Sequence, residues 1–334
     1  MPPETRGQLT AALLQPGVLR HPTPNLDVSD SSPDNRTTAI QTIDSLEVDD
    51  YLDNTRPILR AFLNHLPAAG ARVLATEIVH HAGDLDKLKK LKQFLIHGVI
   101  WPLSSRNNNK TLPESPGDPV IEVTAISDVI QPALKAKCLR RDNHRCLIDR
   151  KLVEGTSVEA ELTTIDEASD EYYDYTECCH ILPYNPRKCV VESDDERHMI
   201  ATIWWALHRY FPALKGKICA ETINQPDNLL TLQAGLHKHF DLFNFALEPT
   251  QTPHGYNCVP YKRLALTATS VTFRSYDQKI PLPDADFLQA HACVARVLDI
   301  SDLRKINFRD HDNEPQHLCP NGSTDITGLL RGLL

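Results

Sequence analysis

The segment Asn228–Phe245, NLLTLQAGLHKHFDLFNF, constrains the fold more than any other stretch of the chain. Apolar side chains recur in it at intervals of three to four positions, namely Leu232, Leu236, Phe240 and Phe243. This spacing places the four side chains on one side of a helix and predicts that this side is buried against a core. The sequence therefore predicts a short amphipathic helix here.

The same predicted helix carries His237 and Asp241 on a common face. Residues four positions apart on a helix project from the same side, so the imidazole and the carboxylate can converge on one point. His239 is expected to point away from them. The pair is either a metal site or an ordinary structural contact between a histidine and an aspartate.

The composition predicts a globular protein inside the cell. Of the 334 residues, 41% are hydrophobic, which is enough for at least one large core. No stretch approaches the roughly 20 apolar residues that a membrane span needs, and the N-terminal residues lack the pattern of a secretory signal. We therefore expect an intracellular protein, cytoplasmic or nuclear, that has no membrane partner.

The cysteines do not follow the pattern of a disulfide framework. There are nine of them, an odd number, without the regular spacing of a small secreted domain. Cys138, Cys146, Cys178 and Cys189 also lack the C-x-x-C pairs of zinc modules, so buried free thiols are favoured over a structural zinc site.

The formal net charge of −9 excludes a protein whose whole surface attracts nucleic acid. A nucleic-acid partner would instead need a local basic patch. Arg140, Arg141 and Arg145 lie close together in the sequence KAKCLRRDNHRCLID, and Lys238 lies on the predicted helix. These four residues form the predicted phosphate-binding patch.

Changes in composition divide the chain into five predicted regions. Residues 1–45 are rich in Pro, Ser, Asp and Asn and are predicted to be disordered. Residues 46–103 have helical apolar spacing and predict a helical unit, in which the lysine-rich stretch is the solvated face of an amphipathic helix. Residues 104–121 are a predicted linker, residues 122–310 a second domain, and residues 311–334 a C-terminal tail.

The second predicted domain contains two strands joined by an acidic excursion. The stretch Arg145–Ile148 is the first predicted strand, and YDYTECCHILP is the second, with His180 near its end. The following sequence, ERHMIATIWWALHRYFPAL, predicts an inserted amphipathic helix. A strand region at YKRLALTATSVTFRS and a closing helix over residues 284–299 complete the predicted order.

The stretches RDNHRCLID, CCHILP, DNLLTLQAGLHKHFDLFNFALEP and LPDADFLQAHACVARVLDIS resemble the HNH endonuclease domain of the ββα-metal class, in a branch common among fungal proteins. The resemblance runs from Lys135 to Ile300. It implies an α+β fold, in which an N-terminal helical unit precedes a ββα-metal core with a helical insertion and a C-terminal helix.

The resemblance also implies the functional residues. In that family a histidine at a strand end is the general base, an asparagine near the next element positions it, and the following helix supplies metal ligands. His180 and Asn228 match the base and its positioning residue, and His237 and Asp241 match the ligands. Cys179 stands where the family often has Asp or His, and it is a further candidate ligand.

The implied function is metal-dependent hydrolysis of phosphodiester bonds, with nucleic acid, and DNA in particular, as the expected partner. The implied cofactor is one divalent ion, Mg or Mn, with Zn as the alternative because a thiolate ligand favours zinc. A second hypothesis is an HNH-fold interaction module with weak or no catalysis. The acidic composition and Cys179 support this second hypothesis, whereas the presence of His180, Asn228 and His237 opposes it.

Overall fold

This computed structural model describes residues 21–26, 28, 34–47, 53–104, 127–150, 152–153, 173–174, 176–182, 194–218, 222, 224–262, 264–301 and 303. Apart from residue 104, the predicted linker lies outside these ranges, as does the whole predicted C-terminal tail. Over the described ranges, the helices are all too short or too polar to span a lipid bilayer.

Helices dominate the first part of the chain, and the short strands all follow residue 150 in the described residues. The helices are α1 (Arg36–Asp44), α2 (Thr55–His65), α3 (Ala68–His80), α4 (Leu85–Leu95), α5 (Trp101–Ser104), α6 (Ser127–Arg141), α7 (Asp194–Tyr210), α8 (Ala234–Asp241) and α9 (Ala285–Ile300). The strands are β1 (Leu152–Val153), β2 (Tyr173–Asp174), β3 (Thr176–His180), β4 (Leu229–Gln233), β5 (Phe245–Pro249), β6 (Gly255–Pro260) and β7 (Ser270–Thr272). This mixture of helices and small sheets confirms the predicted α+β class.

The strands pair into small separate sheets. In the described residues β1 pairs with β2 in parallel, β3 pairs with β4 antiparallel, and β5, β6 and β7 form an antiparallel sheet in that order. Among its described residues, the predicted strand region at 261–275 contributes the three residues of β7. The predicted closing helix is present as α9.

The chain groups into two compact units. Unit 1 draws on residues 1–120, 185–220 and 293–334, and unit 2 draws on residues 121–184 and 221–292. Helix α7 therefore belongs to unit 1, although it lies in the sequence between the two paired strands β3 and β4 of unit 2. The insertion that the sequence predicts inside the second domain is thus a helix of the other unit.

Helix α4 in unit 1 confirms the interpretation of the lysine-rich stretch. Its side chains Leu88, Leu91, Phe94 and Leu95 are buried. Asp84 precedes the helix and accepts a hydrogen bond from the backbone N–H of Lys87 at 3.0 Å, which satisfies one of the amides left open at a helix start. Lys87, Lys89 and Lys90 therefore lie on the outer face of a packed helix, whereas the Lys92 side chain is only 14% exposed and donates a hydrogen bond to Asn54.

Helix α1 corrects the prediction of disorder over residues 1–45. Ala39 and Ile43, four positions apart, are fully buried, and α1 packs against α3. Packing of this apolar face against α3 stabilises the helix, because most helices in proteins depend on tertiary packing more than on the propensity of their own residues. The prediction is therefore wrong for residues 36–44, while residues 1–20 lie outside the described ranges.

A buried hydrogen-bond network ties α3 to α7 in unit 1. The carboxylate of Glu77 accepts hydrogen bonds from Arg209 Nε at 2.6 Å and from the Tyr210 hydroxyl at 2.8 Å. His21 Nε2 lies 3.2 Å from the same carboxylate. Gly70 permits the close approach of the two helices, since a Cβ there would overlap the carbonyl oxygen of Tyr210. These partners satisfy a buried charge that would otherwise be costly.

In unit 2 the segment Asn228–Phe245 differs from the prediction of one helix. Its first residues form β4, which pairs with β3 so that Leu230 lies opposite Cys179 and Leu229 opposite His180. The stretch Leu229–Leu232 is buried along its whole length, including Thr231. A short buried run of this kind is compatible with a strand covered on both faces as well as with a helix. The helix begins only at Ala234.

The stretch Arg145–Ile148 does not form the predicted strand. It makes a turn in which the backbone N–H of Arg150 bonds to the carbonyl of Cys146. Its hydrogen bonds with β4 run from Leu147 N–H to Thr231 O at 2.9 Å and from Gln233 N–H to the Cys146 sulfur at 3.4 Å. Leu147 and Ile148 are nevertheless buried. The apolar pattern correctly predicts their burial, but a turn rather than a strand delivers them to the core.

Candidate active site

Strand β3 and helix α8 bring Cys179, His237 and Asp241 together. One ligand atom of each, the thiol sulfur, an imidazole nitrogen and a carboxylate oxygen, all lie within 4.8 Å of one another. The Cys179 Sγ is 3.6 Å from Asp241 Oδ1, and His237 Nε2 is 3.2 Å from Asp241 Oδ2. Within the described residues this is the one group of three such side chains placed closely enough to hold a metal ion.

The local fold explains why these three side chains converge. The chain passes directly from β4 into α8, and the side chain of Gln233 caps the helix by accepting a hydrogen bond from Leu236 N–H at 2.9 Å. Because β4 is paired with β3, this connection lays α8 against β3. The spacing of four residues places His237 and Asp241 on one face of α8, and the packing of α8 on β3 turns this face towards the strand.

The opposite side of α8 is packed into the core of unit 2. Phe240 is fully buried, and its ring stacks on that of His291 from α9 at a centroid separation of 3.8 Å. His291 Nε2 also lies 3.2 Å from the carbonyl oxygen of Phe240. These contacts hold the short helix in place, so the orientation of its polar face depends on the core and not on the helix alone.

His237 lies between two carboxylates. Its Nδ1 is 2.5 Å from Glu177 Oε2 on β3, while its Nε2 faces Asp241. Burial lowers the pKa of His237, but hydrogen bonds and charge attraction from Asp241 and Glu177 outweigh this effect and raise the pKa above the ordinary histidine value. The sequence interpretation missed Glu177. Its position two residues before Cys179, on the same face of a strand, is the signal that could have found it.

The surroundings of Cys179 favour the thiol over the thiolate. Burial raises its pKa well above the ordinary value, and the nearby carboxylates of Asp241 and Glu177 raise it further. The weak hydrogen bond of the thiol has two acceptors in reach, the carbonyl oxygen of His180 at 3.5 Å and Asp241 Oδ1 at 3.6 Å. A metal ion bound by Cys179 would have to displace this proton, because the thiolate is the ligand form.

His180 follows Cys179 and ends β3. Its Nε2 lies 2.8 Å from the side-chain oxygen of Asn224, so Nε2 carries the proton and Nδ1 carries the lone pair. Burial lowers the pKa of His180, and the Asn224 hydrogen bond and the Asp241 charge oppose this effect only in part. The imidazole is therefore neutral at neutral pH, which is the state a general base requires.

Asn228 bonds to the backbone that follows His180, whereas Asn224 bonds to the His180 ring. Asn228 is fully buried, and its side-chain amide forms two hydrogen bonds of 3.0 Å with the backbone of Leu182, one to the N–H and one to the carbonyl. Its own carbonyl accepts the N–H of Ile181 at 2.9 Å. Asn228 thus holds the backbone that follows His180, and its role as positioning residue stays a prediction.

The sequence interpretation missed Asn224, which contacts the His180 ring itself. Both asparagines occur in the short turn INQPDN, so the composition of this turn was the available signal. Sequence alone does not distinguish them, because which amide reaches the ring depends on how the turn approaches β3.

We expect Asn228→Ala to lower the free energy of unfolding by about 2–5 kcal/mol, since it leaves both backbone groups of Leu182 buried without their partner. Chemical denaturation of the purified variant measures this loss. Asn257→Ala is the matched control, because Asn257 is exposed on β6 and its replacement should change stability by less than about 0.5 kcal/mol. Equal stability of the two variants would contradict the structural role of Asn228.

The predicted phosphate-binding patch is only partly available at the surface. Arg140 and Lys238 are exposed, Arg145 is half-buried, and Arg140 lies 3.7 Å from Asp277. Arg141, in contrast, is fully buried, and the prediction that it binds phosphate is wrong. Its guanidinium bonds to the Asp142 carboxylate and to backbone carbonyls of residues 226, 229 and 281, so no face of it is left for a ligand.

Of the cysteines considered for a structural zinc site, Cys138 and Cys146 are buried and Cys178 is half-buried. All three are free thiols. They do not join any close group of metal-ligand side chains in the part of the chain that the structure describes. Cys189 lies outside the described residues.

The site has a ββα-metal arrangement. It consists of the antiparallel strands β3 and β4 and the helix α8 that follows β4, with His180 at the end of β3 and the candidate ligand cluster between β3 and α8. Residues 156–248 match a family model described as HNH endonuclease. The chain therefore contains an HNH endonuclease domain, and the matched region includes Cys179, His180, Asn228, His237 and Asp241. No curated protein and no solved structure matches the chain. The family match indicates a nuclease-type function with a nucleic-acid substrate.

Proposed function

We propose that this protein is a metal-dependent endonuclease that hydrolyses the phosphodiester bonds of nucleic acid, in particular of DNA, with His180 as general base. The observation that carries the proposal is the position of a neutral His180 directly after Cys179, whose thiol forms a cluster with His237 and Asp241. A base and a set of metal ligands at one strand end are the two groups that phosphodiester hydrolysis needs.

The donor set of the cluster fits a divalent metal ion. Cys179, His237 and Asp241 offer one sulfur, one nitrogen and one oxygen ligand, and their separations allow all three to reach a common ion. An imidazole and a thiolate suit zinc, whereas a carboxylate suits Mg and Mn. We therefore propose zinc as the preferred ion if Cys179 is a ligand, and Mg or Mn if only His237 and Asp241 bind.

Within this site His180 would act on the attacking water. The Asn224 oxygen accepts the Nε2–H, which fixes the tautomer and turns Nδ1 into the atom that takes the proton. Asn228 keeps the backbone after His180 in place through its two hydrogen bonds to Leu182, while Asn224 holds the ring itself. A bound divalent ion would stabilise the negative charge that develops on the phosphate.

A catalytically weak or inactive HNH-fold interaction module is the second candidate. The observation that favours it is that the cluster is internally satisfied without an ion, since the Cys179 thiol, His237 and the carboxylates bond to one another. An ion must compete with these contacts and remove a proton from a thiol whose pKa is raised.

Incubation of the purified full-length chain with supercoiled plasmid and with single-stranded RNA, each with Mg, Mn or Zn, tests the proposed function. We expect nicked and linear plasmid with at least one ion, and no product in the presence of excess chelator. Cleavage of RNA alone would correct the substrate from DNA to RNA. Intact substrates under every ion condition would overturn the nuclease proposal and favour the interaction module.

Without the buried Arg141, the predicted phosphate-binding patch consists of Arg140, Arg145 and Lys238, and the salt dependence of nucleic-acid binding tests it. Replacing Arg140, Arg145 and Lys238 with Ala should weaken nucleic-acid binding to a similar degree for all sequences, and should reduce the dependence of log K on log salt by about 1 for each phosphate that is no longer neutralised. Fluorescence anisotropy over a salt series measures both quantities. Lys90→Ala, an exposed lysine on α4, is the control. A triple variant with the wild-type salt slope would show that these residues do not bind phosphate.

A further inference from the structure

The His237 ring is held at both of its nitrogens by different elements. Nε2 lies 3.2 Å from Asp241 Oδ2. The Cys179 sulfur contacts the other oxygen of the same carboxylate. On the other side Nδ1 lies 2.5 Å from Glu177 Oε2. The Nε2 edge therefore faces the candidate ligand cluster, and the Nδ1 edge faces away from Asp241 towards Glu177.

The strand register explains why Glu177 reaches this edge. Glu177 and Cys179 are two residues apart on β3, so their side chains emerge from the same face of the strand, the face against which α8 lies. Cys178, between them, points to the opposite face and packs with Cys138 of α6 and Leu229 of β4. One face of β3 thus presents both a candidate ligand and a carboxylate to the same helix.

We propose that Glu177 is a positioning residue for metal binding, which accepts the Nδ1–H of His237 and thereby keeps the lone pair of Nε2 directed at the ion. This inference rests on the proposed metal site and adds a residue to it. A histidine that binds a metal commonly donates its other N–H to a carboxylate, which fixes both the tautomer and the ring plane. Glu177 touches no reacting atom in this assignment and acts through His237.

Two other roles for Glu177 make different predictions. The Glu177 side chain is 52% exposed. If its contact with His237 is an ordinary surface ion pair, the loss of this contact should change neither the metal affinity nor the stability appreciably. If Glu177 is instead a direct ligand, its negative charge is what matters. A neutral glutamine distinguishes charge from orientation, because its amide oxygen can still accept the Nδ1–H but is a poor metal ligand.

The test measures the affinity for Zn and for Mn by competition with a chromophoric chelator, using the full chain. We expect Glu177→Ala to bind about 10–100-fold more weakly than wild type, and Glu177→Gln to recover most of this loss. Glu47→Ala, which removes an exposed carboxylate from unit 1, should leave the affinity unchanged. Thermal unfolding with excess chelator should be similar for all three variants, since the Glu177 side chain is half exposed.

A second readout reports the orientation itself. Nitrogen NMR of the metal-free protein at high pH should show the Nδ1–H tautomer of His237 in wild type and in Glu177→Gln, and a mixture of tautomers in Glu177→Ala. Wild-type affinity in Glu177→Ala would overturn the inference, as would equal losses in the Gln and Ala variants. A wild-type protein that binds neither ion would overturn the metal site itself, which is a different outcome from either of these.

Discussion

His180→Ala is expected to reduce the rate of phosphodiester cleavage by about 10²–10⁴-fold while leaving metal affinity nearly unchanged, since a general base contributes a factor of this size and does not bind the ion. The imidazole is neutral and donates its Nε2–H to Asn224, so its removal takes away the proposed proton acceptor. Initial rates on plasmid, together with chelator competition on the same preparation, measure the two quantities.

His239→Ala is the matched control for this experiment. His239 lies on α8 beside the site, but its ring contacts Asn244 instead of the ligand cluster. Its replacement should leave cleavage within a few-fold of wild type. A His180→Ala variant that cleaves at the wild-type rate would rule out His180 as the base, and a variant that loses metal affinity as well would assign His180 to the ligands.

His237→Ala and Asp241→Asn are expected to remove most of the stabilisation that divalent ions give to the folded protein. An ion that binds the folded state stabilises it by about 2.7 kcal/mol at a concentration 100 times its dissociation constant. His237→Ala removes an imidazole ligand altogether, whereas Asp241→Asn keeps the shape and removes the charge, so the alanine variant should show the larger loss. Thermal midpoints with and without Mg, Mn and Zn measure the effect.

The alternative for this pair is a purely structural contact. In that case the same substitutions would change stability by about a kcal/mol, equally with and without added ions. The core-facing side of α8 is untouched in both variants, because Phe240 packs on His291 from the opposite side. If the thermal midpoint of the wild-type protein does not respond to any of the three ions at millimolar concentration, the proposed metal site is ruled out, and the interaction module becomes the better proposal.

Much of the secondary structure could be predicted because it depends on local spacing. The helical spacing of the apolar residues is sufficient to predict α4. Asp84 marks the start of this helix because its side chain accepts a hydrogen bond from the backbone N–H of Lys87. The strand that ends in His180 and the closing helix α9 were predicted for the same reason. In each case the residues that determine the element lie within it or directly beside it.

The predictions that failed all concern residues whose state depends on distant partners. Leu229–Leu232 forms a strand because β3 is there to pair with it, not because its own sequence excludes a helix. Arg141 carries the same charge as its neighbour Arg140, yet it is buried because, besides the adjacent Asp142, backbone carbonyls 85 to 140 residues away accept hydrogen bonds from its guanidinium. An arginine that is satisfied in this way has no local sequence signal that separates it from an exposed one.

For the candidate site, the sequence by itself determined that His237 and Asp241 share a helix face, because a separation of four residues has this consequence on any helix. Only the tertiary structure decided that Cys179 and Glu177 contact this pair and that Asn224 contacts His180. Their contacts cross sequence separations of 62, 60 and 44 residues, so they depend on the pairing of β3 with β4 and on the path of the turn before β4. Such non-local contacts form only when the whole unit is folded, and no periodicity in the sequence encodes them.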